Sequence, residues 1–145
     1  MFSKRELFDK ICHELTVFFR EIEYKSNNGL LDDNIFAEYL VKDLLNICCG
    51  WELHNLNDSI CNYPGIDLGD DDRRIGVQVT STKTSKKIRD SLYEITTNSV
   101  YEKYDQIYFF ILGSKQKRYS VEFGDYPVNC GINNIWDISD LMKQI

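Results

Sequence analysis

Apolar positions recur first at helical and then at strand spacing along this chain. Leu7, Ile11, Leu15, Phe18, Phe19 and Ile22 fall three or four residues apart and predict an amphipathic helix. Ser3 is its expected N-cap, with Glu6 completing a capping box. Asn27, Asn28 and Gly29 break the pattern. A second helix is predicted from Asp33 or Asn34 to Cys49, stopped by Gly50. Its apolar stripe is Ala37, Leu40, Val41, Leu44, Leu45, Ile47 and Cys48, with Glu38 at the edge and Lys42, Asp43 and Asn46 pointing away. Strands are expected over Trp51–Leu56, Tyr63–Leu68 and Arg74–Ser81, then a helix from Lys86 to about Val100 capped by Thr84 or Ser85. Gln106–Leu112 is nearly all apolar, as suits a strand covered on both faces. Tyr119–Phe123 alternates like a further short strand, and Ser139–Ile145 reads as a closing helix.

The order α-α-β-β-β-α-β, with a short β segment and a helix after it, implies an α/β domain. Antiparallel strands followed by a β-α-β crossover give a mixed sheet with helices on both faces. At 145 residues the chain is long enough for one domain with its own core, and it has two prolines, no repeats and no evident linker. The last helix runs to Ile145 without a stop signal, an ending expected of the N-terminal part of a longer protein. No apolar run approaches the roughly 20 residues that span a bilayer, and Met1–Glu6 leads into a helix rather than a signal core. No membrane partner is therefore expected, and the cytoplasm is the expected compartment. Five cysteines, odd in number and without C-x-x-C spacing, read as reduced thiols; with only two histidines, structural zinc is not expected.

The chemistry concentrates between Pro64 and Thr80. Ile66 and Leu68 flank Asp67, so strand alternation turns the carboxylate away from them. In Ile75–Thr80 the same alternation puts Ile75, Val77 and Val79 on one face and Gly76, Gln78 and Thr80 on the other. Pairing across the turn would bring Asp67, Gln78 and Thr80 together. Glu38, from the second helix, would supply a third oxygen over the sheet. Each residue also has an ordinary reading: Asp67 as a turn carboxylate before Gly69, Gln78 as a solvent-side strand residue, Glu38 as a surface glutamate. Asp70, Asp71 and Asp72 are read as a solvated hairpin tip, because the alternating oxygens and closing glutamate of a calcium loop are missing. A net charge of −6 disfavours a free-standing high-affinity nucleic-acid binder. Lys83, Lys86, Lys87 and Arg89 nevertheless cluster within seven residues, either as a solvated helix face or as a phosphate-facing patch.

The element order, with Glu38 on a helix, Asp67 in Pro64-Gly65-Ile66-Asp67 and Gln78 in Val77-Gln78-Val79-Thr80, resembles the PD-(D/E)XK nuclease superfamily. The glutamine is similar to variants in Mrr-like restriction nucleases. More narrowly, the stretch from Asn34 through Lys87 resembles the SMEK-type domain, a nuclease-like module at the N-terminus of bacterial, often anti-phage, proteins. Asn62–Leu68 and Gln78–Ser81 carry nearly all of that specificity. The resemblance implies a restriction-endonuclease-like fold and a Mg²⁺ or Mn²⁺ site formed by Glu38, Asp67 and Gln78, hard cations preferring oxygen ligands. It implies hydrolysis of phosphodiester bonds, in DNA rather than RNA, in a defence setting. Active members carry a lysine two residues beyond the third ligand. Thr80 stands there, an uncharged hydroxyl restricted to a supporting role. Lys83 is the expected catalytic substitute beside Asp67 and Gln78, and Lys87 the alternative; Lys83, Lys86, Lys87 and Arg89 are the expected nucleic-acid contacts. Without that lysine, and with a glutamine for a carboxylate, an inactive recognition module is the competing expectation, and a structural or oligomerisation role is the third. A second protomer or further domains would then supply more of the nucleic-acid grip.

Overall fold

The computed structural model describes residues 3–28 and 33–144. Gly29 of the expected helix break and Ile145 of the expected final helix lie outside the described residues. The order is α1 (Lys4–Asn27), α2 (Asp33–Cys49), β1 (His54–Asn55), β2 (Leu68–Asp70), β3 (Ile75–Thr80), α3 (Ser85–Thr97), β4 (Gln106–Ile111), β5 (Ile135–Trp136) and α4 (Ile138–Met142). The five strands form one mixed sheet in sequence order, antiparallel from β1 to β3 and parallel from β3 to β5. An α/β fold with a mixed sheet flanked by helices is what the chain adopts.

Side-chain alternation builds two cores, one on each face. Ile75, Val77 and Val79 of β3 and Phe110 of β4 pack with Phe19 of α1, Ala37, Val41 and Leu45 of α2, and Ile138 and Leu141 of α4. On the other face Ile107, Phe109 and Ile111 of β4 meet Ile88, Leu92 and Ile95 of α3. β4 is thus buried on both sides, which its unbroken apolar run requires.

The caps follow sequence closely. The Glu6 amide donates to Ser3 Oγ (3.1 Å) while the Ser3 amide donates to Glu6 Oε2 (3.2 Å). Thr84 caps α3 by accepting from the Lys87 amide. Gly50 ends α2 at φ +70°, a conformation glycine adopts without a Cβ clash.

Other expectations change. Leu7 and Ile11 are each 51% exposed, so core contact by α1 comes from Leu15, Phe18 and Phe19. Ile47 is 80% exposed and leaves the α2 stripe. Asn46 turns inward instead: its amide group donates to the Leu53 carbonyl (3.1 Å) and accepts from the Leu53 N–H (2.8 Å). This bracket stands in for strand pairing and helps to explain why β1 is only two residues long. The short strand at the C-terminal end is Ile135–Trp136, not Tyr119–Phe123, which instead packs Tyr119, Val121 and Phe123 against the α3-side core.

Asp70 is not a solvated tip residue. It is 1% exposed and accepts from the Glu52 amide (2.8 Å), the Arg73 amide (2.9 Å) and Arg73 Nη1 (3.1 Å). Burial pushes its carboxyl up, but these donors outweigh it and hold the pKa below the usual carboxylate value.

Candidate functional site

The site begins with a bend in the strand that carries Asp67. The register pairs Leu68 with Val77, yet the Asp67 N–H also donates to the Val77 carbonyl (2.8 Å). Two residues share one partner, as in a β-bulge, and the chain turns there. Ile66 consequently packs in the α3-side core while Leu68 packs in the opposite one, a departure from simple alternation. The bend leaves the Asp67 side chain beside β3, where Oδ2 accepts from the Val79 amide (2.9 Å). Asp67 therefore does satisfy a strand, but by its side chain and in the next register position.

Glu38 of α2, Asp67 and Gln78 of β3 open onto one recess of about 510 Å³. Asn55 and Asn57, at the end of β1, hold the carboxylates from below. Asn55 Nδ2 donates to Glu38 Oε1 and Asn57 Nδ2 to Asp67 Oδ1, both at 3.4 Å. Asn57 is fixed in turn, its N–H donating to Asn55 Oδ1 and its Oδ1 accepting from the Tyr63 N–H, each at 2.9 Å. Tyr39, Asp58 and Tyr63 complete the walls, with Tyr39 OH donating to Asp58 Oδ1 (2.9 Å).

Two acids this close cannot both be comfortably ionised. Burial pushes the Glu38 carboxyl up and the Asp67 charge pushes it further, to about 7, against the opposing pull of the Asn55 and Asn57 amides. Asp67 is also raised, because burial outweighs the Val79 amide, Asn57 and the charge of Lys87. At neutral pH the pair thus holds negative charge that its neighbours only partly offset.

The expected cations divide. Lys87, in the first turn of α3, is the cation whose charge acts favourably on Asp67. Lys83 does not join this recess. Its Nζ lies 3.7 Å from Glu23 Oε1, in a separate hollow shared with Arg20, Tyr24 and Ser114. The cause is α1, which lays Glu23 against Gly113 at the carboxyl end of β4 and draws Lys83 over. Lys86 pairs with Asp90 (2.7 Å) and Arg89 Nη1 donates to the Ser120 carbonyl (2.7 Å). Thr80 is buried, and its Oγ1 accepts from the Thr82 amide (3.0 Å), a local turn contact outside the recess.

The donor set suits a hard divalent cation in kind: two carboxylates of raised pKa, one neutral amide oxygen and supporting asparagines. Glu38, Asp67 and Gln78 are the residues that would hold it. Among the described residues no group of three His, Cys, Asp or Glu side chains converges, so the set depends on Gln78 for its third oxygen. The sequence reading missed Asn55, Asn57 and the tyrosine walls. The run Asn55-Leu56-Asn57-Asp58 was their signal, because it sets single polar side chains on either side of one buried leucine.

No curated protein and no solved structure matches the chain. Among the described residues no helix is long and apolar enough to cross a membrane. A family model, that of the SMEK domain, matches residues 10–145, nearly the whole chain and every residue of the recess. The chain belongs to the SMEK domain family.

Proposed function

We propose that this domain is a metal-dependent endonuclease of PD-(D/E)XK type that hydrolyses phosphodiester bonds in DNA. The observation that carries the reading is the convergence of Glu38 and Asp67 beside Gln78, with the Glu38 carboxyl at about 7. A carboxyl raised by burial and by the Asp67 charge is one whose ionised form a cation between the two acids would favour. Asp67 is held by the Val79 amide and Asn57 and lines the recess. The charge of Lys87, which acts on Asp67, would also favour a bound phosphate. A Mg²⁺ or Mn²⁺ ion held by the oxygens would supply charge stabilisation for the scissile phosphate and for water activation. A cytoplasmic setting and a part in bacterial anti-phage defence rest on the family resemblance of the sequence.

A second reading, a recognition module without catalysis, is favoured by one specific finding. Thr80 occupies the usual lysine position and spends its hydroxyl on Thr82, while Lys83 is drawn to Glu23. Cleavage separates the two readings. Purified protein with Mn²⁺ should cut DNA, Asp67→Ala should abolish cutting, and Lys87→Ala should slow it at least about ten-fold. DNA binding without cleavage by the wild type would favour the second reading.

A further inference from the structure

The walls of the recess differ in chemistry from its floor, and they bear on which substrate fits. Tyr39 and Tyr63 both line it. Tyr39 is tethered through its hydroxyl to Asp58 at 2.9 Å. Tyr63 is tethered through its amide to Asn57 at 2.9 Å and by an edge contact to the Tyr104 ring, centroids 6.4 Å apart. Ile35, 64% exposed, and Asn62 lie at the same opening. Asn62 sits at φ +57°, a left-handed conformation uncommon outside glycine, at the turn leading to Tyr63. Fixed aromatic faces beside amide donors and acceptors are what unpaired bases stack on and bond to.

Several cations flanking β3 and along α3 offer little to a duplex by comparison. Duplex binding is driven by several cations neutralising a phosphate track. Here Lys83, Lys86, Arg89, Arg73 and Arg74 are engaged with Glu23, Asp90, the Ser120 carbonyl, Asp70 and Asp105 respectively. The net charge is −6. A volume of about 510 Å³ lies in the range of pockets that enclose small ligands, roughly 300–1,000 Å³, and suits a single nucleotide unit.

We infer that the recess selects an unpaired stretch of nucleic acid over duplex, seating a base against Tyr39 and Tyr63 beside the acid pair. For its chemistry this rests on the nuclease reading above; for binding it stands by itself. The test is fluorescence anisotropy of the whole chain in Ca²⁺, an oxygen-preferring cation used here to measure binding without turnover. The probes are a labelled single-stranded DNA, its blunt duplex, the same sequence as RNA, and a mononucleotide. Single strands should bind at least about ten-fold more tightly than duplex, and Tyr63→Ala and Tyr39→Ala should each weaken that binding about ten-fold. Tyr63→Phe should retain it, which separates loss of stacking from loss of folding. Equal duplex binding, no strand binding, or a mononucleotide bound as tightly as a strand overturns the inference, even if DNA is cut. Ring-dependent strand binding without cleavage in Mn²⁺ upholds it and removes the nuclease reading. Tighter, ring-dependent binding of the RNA strand upholds it and assigns the unpaired strand to RNA.

Discussion

Burial and then the nearby Asp67 charge disfavour the ionised Glu38 carboxyl, and the sign of the resulting pH dependence follows from that. Glu38 has a folded pKa of about 7, above the ordinary 4.5. Between these values the folded state binds more protons than the unfolded one, so stability falls as pH rises through the window. The gap would correspond to about 3 kcal/mol for a fully desolvated group. Glu38 is only half-buried, and solvent screening reduces this to roughly 1 kcal/mol. Glu38→Gln should therefore stabilise the protein by about 1 kcal/mol near pH 8 and by almost nothing near pH 4.5. Urea unfolding at both pH values checks it; equal effects at the two would mean that folding does not raise the Glu38 carboxyl. Asp70 has the opposite sign. Its depressed pKa means that its contribution is present above the ordinary carboxylate value and lost as pH falls below it.

At the scale of elements, the site depends on how β2 is entered. Gly65 stands at φ +77°, and a Cβ there would lie 2.6 Å from Ile95 Cγ1 and 2.8 Å from the Ser91 carbonyl oxygen. Its N–H donates to Glu94 Oε2 (3.0 Å), tying the loop before Asp67 to α3. Gly65→Ala should cost roughly 2–4 kcal/mol through left-handed strain and overpacking together. Denaturant titration reads this directly, and a loss under about 0.5 kcal/mol would mean that the loop relaxes freely. Those same elements show where sequence was informative. Helix caps at Ser3, Thr84 and Gly50 were legible because each has a local chemical signature. So was β4, whose apolar run admits burial on both faces only. The bend at Asp67 was not, because alternation assumes an unbroken ladder and a bulge shifts it by one residue. The placement of Lys83 was not legible for a related reason: proximity to β3 in sequence says nothing of Glu23, sixty residues earlier, whose Oε1 lies 3.7 Å from its Nζ.

Across the whole molecule, two cores grip the sheet while the acid pair sits at the edge where β2 begins, in contact with both layers through α2 and α3. Placing like charges there costs stability, and a structural role for Asp67 at Val79 requires only one of them. In the proposed reading a ligand carrying positive charge would offset that cost, with Glu38, Gln78 and Asn57 at the same opening. Metal binding is therefore the property on which the account turns. The decisive measurement is isothermal titration calorimetry of Mn²⁺ into the protein near neutral pH, beside Asp67→Asn and Glu38→Gln. One saturable site is expected in the wild type, lost in Asp67→Asn and weakened at least about ten-fold in Glu38→Gln. An absence of binding in the wild type, or binding that survives Asp67→Asn unchanged, would contradict it.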